Sequence, residues 1–291
     1  MRVRGDVVNR LNCETRELAG WDFPTQIDRG SLACEFLEDA TRKALVRLKA
    51  RGPYQMESPV CVEETHSLSD QLASRSEAVA ASGEFDGLNW HLAVVDLRKL
   101  IAFQRQIRFT SYDRQQYEPM SNWQRLLDFG LPVKRALPHY SVTTASDGKS
   151  LTIRSECPNL SVRFAHGADH SLDSVQLVAH SGSPYCEVAS YRGRWFLRDG
   201  YHRSFLLLQQ GKYKMPAVVV KAETLAELGA IGYRFFSEET LFSGRPPMVS
   251  DFLDDEMVAC FSGPMQEKYM KISIQEQLQS AQAESREGMQ R

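Results

Sequence analysis

Apolar residues recur along this chain with two different periods, and the places where one gives way to the other predict its elements. Over 35–50, "EFLEDATRKALVRLKA", Phe36, Leu37, Ala40, Ala44, Leu45 and Leu48 fall at helical spacing, and Gly52-Pro53 stops the pattern. An amphipathic helix is expected there, and a more polar, surface one over 68–81, "LSDQLASRSEAVAA". Residues 92–95 form a short apolar run with two β-branched members, and Leu97, Leu100 and Ile101 follow in register for one helical turn. That order predicts a strand and then a turn or short helix. In "SNWQRLLDFGLP" Ser121 and Gln124 stand at capping-box spacing, and Gly130 and Pro132 close a short helix.

Between Tyr140 and Arg198 the period changes to two. "YSVTTASDGKSLTIRS" places two β-prone runs around an Asp147-Gly148 turn, and "SVRFA", "SVQLVAH" and "CEVASYRGRWFLRD" continue the series. A helix is predicted over 201–210 and a strand over 216–221, where three consecutive valines suit burial on both faces. The expected class is α+β: a small mixed sheet with packed helices, carrying a β-rich insertion at about 140–195. The expected division is an N-terminal helical segment over 1–85, a core over 86–222, and an acidic C-terminal extension over 223–291. Within the extension "SGRPPMVSDFL" reads as loop, and the polar, Gln/Glu-rich tail from 265 reads as a surface helix fraying into disorder.

Composition narrows the function classes. The 291 residues are 42% hydrophobic and 25% charged, ordinary for a globular protein, and 35 basic against 37 acidic residues leave no global pull toward nucleic acid. "MRVRGDVVNRLNCETREL" is too interrupted by charge for a secretory signal, and no apolar run is long enough to span a membrane. The six cysteines are scattered, without C-x-x-C or zinc spacing, which fits a reduced, cytoplasmic protein.

The candidate chemistry lies at 199–204, "DGYHRS", where a strand runs straight into a helix. Such a junction gathers the first backbone N–H groups of the helix and its positive dipole end at one point, which favours anions. Gly200 admits a phosphate to the backbone, Arg203 offers its fork of donors, His202 a ring nitrogen and Ser204 a hydroxyl. Asp199 can hold the helix start, orient a metal-bound water or accept a proton. The competing account is a plain turn with Asp199 as cap, its histidine and arginine solvated or paired to acids.

The wider order of strand, Asp-Gly-x-His-Arg, helix, Gly and Pro-valine strand in "DGYHRSFLLLQQGKYKMPAVVV" resembles the core of the ParB and sulfiredoxin-like superfamily. "AVVDLRKLIAFQRQI" is similar to that family's opening strand and the leucine and glutamine after it. The resemblance covers about 90–106 and 195–221. It implies nucleotide binding, with ATP or another nucleoside triphosphate and Mg2+, phosphate contacts from Gly200, Tyr201, His202, Arg203 and Ser204, and Gln104 nearby. It implies NTP hydrolysis or phosphoryl transfer, with Asp199, His202 and Arg203 as the catalytic set. Tyr201 stands where sulfiredoxins carry a catalytic cysteine, so thiol-based sulfinic acid reduction is excluded. "DGYHR" nearly reproduces the Asp-Gly-His-His-Arg turn of the free-serine kinases, but "LIAFQRQ" has no glutamate where they use one, so a base would come from Asp199 or Glu84. A DNA clamp of the partition type is disfavoured, because 223–261 holds eight acids against Arg234 and Arg245. The alternative on the same fold is a non-catalytic ligand-sensing or protein-interaction module.

Three further groups are weaker. His166 and His170 have a metal-ligand spacing only if helical, in a segment that reads as β and loop. "VEETHS", with Glu63, Glu64 and His66, reads as an exposed loop before a helix. Arg105, Arg108, Arg114 and Arg125, interleaved with Phe109, Tyr112, Tyr117 and Trp123, form a basic and aromatic stretch able to stack a base. No P-loop and no nucleophile-elbow motif occurs.

Overall fold

The computed structural model describes residues 12–21, 34–110, 122–133, 140–155, 160–165, 176–181, 183–229, 235–264 and 268–275. Its elements in chain order are β1 (Asn12–Leu18), α1 (Cys34–Ala50), α2 (Val62–Ser67), α3 (Ser69–Ala81), β2 (Asn89–Asp96), β3 (Ile101–Ala102), β4 (Gln106–Thr110), α4 (Trp123–Gly130), β5 (Tyr140–Thr144), β6 (Ser150–Ser155), β7 (Leu160–Ala165) and β8 (Gln176–Ser181). They continue with β9 (Glu187–Tyr191), β10 (Arg194–Asp199), α5 (Tyr201–Gln209), β11 (Lys214–Lys221), α6 (Leu225–Leu228), α7 (Glu238–Leu241), β12 (Val258–Pro264) and β13 (Lys268–Ser273), with 3-10 turns at Leu97–Lys99 and Val249–Leu253. The class is α+β. The chain divides into two units, 1–136 with 183–265, and 137–182 with 266–291.

The first unit is built on a five-stranded sheet of order β2-β11-β9-β10-β3. Val218, Val219 and Val220 of β11 are buried, so the strand is covered on both faces as its valine run predicts. Val218 and Val220 join Val94, Leu72, Val79, Leu127 and Tyr185 on one side, under α3 and α4. Met215, Ala217 and Val219 join Ala93, Val95 and the α5 residues Phe205 and Leu207 on the other. β2 runs antiparallel to β11, β9 parallel to it, and β3 parallel to β10. The outer edge of β2 is closed by 59–65: Cys61 N donates to Val94 O at 2.8 Å, Asp96 N to Pro59 O at 2.8 Å and Val94 N to Thr65 Oγ1 at 2.9 Å. An edge satisfied in this way offers no template to another strand.

A second sheet in this unit has the order β12-β1-β4, antiparallel throughout. The segment expected to be helical over 1–85 therefore contains a strand, because Thr15, Glu17 and their neighbours pair with β4 and β12 across large sequence distances. The same pairing corrects the expectation of an acidic extension after 223, since β12 lies within it and packs with α1 through Leu37, Ala44, Leu48 and Ala259. Asp251 receives Arg51 at 2.8 Å, Asp254 receives Arg47 at 2.7 Å and Asp255 receives Arg16 at 2.6 Å. Much of the local acidity is thus offset by arginines from β1 and α1, which weakens the charge argument against phosphate backbones.

Helix positions follow the periodic segments closely. The cap of α4 is Asn122, whose side chain accepts from Arg125 N at 2.9 Å; Ser121 lies outside the described residues. "VEETHS", read as loop, is the helix α2. The "surface" helix α3 buries Leu72, Arg75 and Val79, with Arg75 donating to Leu131 O at 3.1 Å and paired to Asp128.

The second unit holds the sheets β13-β6-β5 and β7-β8. Its Asp147-Gly148 turn is as expected, with Gly148 at φ 67° and Lys149 N donating to Asp147 Oδ1 at 2.9 Å. Lys268–Ser273, expected as part of a fraying helix, is instead β13, paired antiparallel to β6. Met270 and Ile272 alternate there with Tyr269 and Lys271, a period of two that the polar composition of the tail masks. The tail from 276 lies outside the described residues.

Candidate functional site

β9 and β10 form a hairpin around Arg192-Gly193, both at positive φ (48° and 76°), the geometry of a tight turn matched to strand twist. Counting outward, Leu197 pairs with Val188; then a bulge leaves Arg198 over, and Asp199 pairs with Glu187. The bulge puts Asp199 at the strand end directly before Gly200, which adopts φ 98°, ψ 23° and starts α5 with no side-chain cap. A Cβ on Gly200 would stand 3.3 Å from Cys186 Sγ and 3.4 Å from Arg203 Nη2. The left-handed angle and this tight packing require glycine here. They account for it without a phosphate.

The side chains of Tyr201, His202 and Arg203 are occupied. Tyr201 is buried; its hydroxyl donates to Leu197 O at 2.8 Å and accepts from Phe103 N at 3.0 Å and Gln104 N at 3.2 Å. It ties the segment after β3 to α5, and burial raises its phenol far above the usual range. Arg203 donates to Phe129 O at 3.2 Å, to Tyr185 O at 2.6 Å and to Pro184 O. Its fork thus holds the end of α4 and the approach to β9. A ring nitrogen of His202, Nε2, lies 2.5 Å from Arg108 O, and the ring packs edge-on to Phe109. Ser204 is fully enclosed, and its Oγ has no hydrogen-bond partner among the described residues. Gln104 spends its amide on Gln106 O at 2.5 Å.

What remains for an incoming group is backbone. Ser204 N makes the first intrahelical bond, to Gly200 O at 2.8 Å. The amides of Tyr201, His202 and Arg203 precede it, at the positive end of a nine-residue helix. Gly200 N donates to Asp199 Oδ1 at 2.5 Å, so one carboxylate already stands there.

The acid environment contains a partner that the linear motif does not show. Glu187 is 6% exposed, and its Oε2 lies 3.4 Å from Arg198 Nη1. Burial pushes its carboxyl up to about 7, against the opposing effects of Ser183 and Arg198, and the charges of Asp199 and Glu84 push it further. Burial also raises Asp199, opposed by Arg203, the Gly200 N–H and His202. Cys186, directly before Glu187 and packed on Gly200, is a buried thiol pushed up to about 12, and so is not a nucleophile at neutral pH. The hairpin turn gives the pairing of the two strands, but its plain register would set Asp199 opposite Cys186; the bulge that brings Glu187 there is not legible in the linear motif.

Among the other sequence candidates, Arg108 and Phe109 meet His202. Arg105 is buried, donating to Phe235 O at 3.1 Å with its guanidinium 4.4 Å from the Phe236 ring centroid. Phe109 is buried against Phe205 and presents no open face for stacking a base, while Trp123 is half-buried against the core. Tyr112, Arg114, Tyr117, His166 and His170 lie outside the described residues. Glu64 pairs with Lys214. Among the described residues no group of three or more His, Cys, Asp or Glu side chains is arranged to hold a metal, and no helix is long and apolar enough to cross a membrane. A Mg2+ ion arriving with a nucleotide would therefore be carried by the phosphate oxygens and not by a protein cage. Comparison with known proteins finds no family model, no curated protein and no solved structure that matches this chain.

Proposed function

We propose that this chain is a nucleotide-binding protein with a ParB/sulfiredoxin-like core, whose phosphate subsite is the backbone at the start of α5. One observation carries the reading: the two segments that bear the resemblance lie in one sheet, β2 against β11 and β3 against β10, with Tyr201 bonding the second segment to the first. The uncapped helix start supplies N–H donors, and the internal bonds of Tyr201 and Arg203 hold it rigid before any ligand arrives. Arg203 in this reading positions the turn and does not clamp phosphate. Mg2+, bound with the nucleotide, would neutralise charge on the phosphates, and Asp199 is the carboxylate placed to orient a water or accept a proton. Turnover would be NTP hydrolysis or phosphoryl transfer.

A second reading has its own support. Asp199, Tyr201, His202 and Arg203 all spend their polar groups on the protein, which suits a non-catalytic ligand-sensing or interaction module. Thermal shift with ATP, CTP, GTP and ADP plus Mg2+, run beside phosphate release, separates the two. A nucleotide that raises Tm and releases phosphate, with release lost in Asp199→Asn, is the expected result. Binding without release selects the sensor, and no shift with any nucleotide overturns the nucleotide reading.

A further inference from the structure

A buried carboxyl, Glu187, and a half-buried one, Asp199, are cross-strand partners at the end of the β9–β10 hairpin, directly before the α5 start, and they are not equally compensated. Asp199 accepts the Gly200 N–H at 2.5 Å, is bonded by the Ser183 backbone, and lies near Arg203 and His202 of α5. Glu187 has the Ser183 side chain and Arg198 at 3.4 Å, while Glu84, from the turn after α3, adds a like charge. Its remaining neighbour in register is apolar, Val218 of β11. A buried acid with the poorer set of partners is the one that keeps its proton.

We propose that Glu187 carries the exchangeable proton of this pair, and that losing it closes the α5 start to anions; this rests on the phosphate reading above. With Glu187 neutral, Asp199 is the carboxylate at the helix terminus among the described residues. With Glu187 ionised, a second charge sits beside it, held in a site poorly screened by water, and an incoming anion is repelled. Glu187 touches no ligand in this account. It acts through the charge at Asp199.

Sulfate, whose charge is constant between pH 6 and 8, is the probe, titrated calorimetrically into the full chain at fixed ionic strength. Its affinity is expected to weaken roughly tenfold from pH 6 to pH 8, the size of one added charge at a partly buried site, and to be level in Glu187→Gln. Thermal stability gives a readout independent of any ligand. A carboxyl that titrates near 4.5 when unfolded and is pushed up to about 7 when folded contributes stability at low pH that is lost as pH rises through that window. Wild-type Tm should therefore fall across it more than that of Glu187→Gln. Equal pH profiles for the two proteins, in either measurement, overturn the proposal. Sulfate binding with a pH-independent affinity removes the gate alone, whereas no sulfate binding at any pH, by either protein, removes the gate and the phosphate reading together.

Discussion

Replacing Arg203 by alanine removes the donors that hold the carbonyls of Phe129, Pro184 and Tyr185. Charge-assisted hydrogen bonds contribute about 1.5–3 kcal/mol each, and carbonyls left dry cost more than the bonds returned. Arg203→Ala should therefore lose about 3 kcal/mol or more in urea denaturation, with no ligand present; a variant as stable as wild type would show the fork to be free for phosphate. Spacing in the sequence correctly placed Asp199, Gly200 and Arg203 at one strand-to-helix junction. It did not show which way their side chains are spent, because a guanidinium two residues into a helix can reach solvent or a neighbouring loop with equal ease, and the loop arrives from residues 184–185.

At the scale of elements, one glycine decides how a helix meets the sheet. The carbonyl of Pro216 lies 2.1 Å from where a Cβ on Gly130 would stand, so α4 can approach β11 only with glycine there. Gly130 O in turn accepts Cys186 N at 2.7 Å, which fastens the start of β9 to the same point. Gly130→Ala must push α4 off the sheet, and its cost should be about 3 kcal/mol or more, at the upper end of core overpacking. Circular dichroism melts against Gly87→Ala, whose Cβ meets no atom within 4 Å though its φ of 77° adds modest strain, would test this. Gly130 reads in the sequence as the stop of a helix, and it is that too. Its second role depends on β11, 86 residues later, and local signals carry nothing about it.

At the scale of the whole molecule, the second unit is a continuous insertion joined by the segment from 266. Gly130 O and Cys186 N are hydrogen-bonded on its two flanks, so the first unit carries its own backbone link across the segment 137–182. A chain with 137–182 replaced by a short Gly/Ser linker and ended at Met265 should keep near-ultraviolet dichroism and one cooperative urea transition. A broad transition with loss of tertiary signal would show that the first unit depends on the second. The sequence by itself determined the α+β class, the helices α1, α3, α4 and α5, and the both-faces burial of β11, because periodicity and caps are read within one or two turns of chain. Only the tertiary structure decided that residues 12–18 pair with 258–264, that the polar tail begins as a strand, and that Glu187 stands opposite Asp199. Each of these is a contact between segments whose local pattern permits several partners, and the choice among them is made by which pairing buries the shared core.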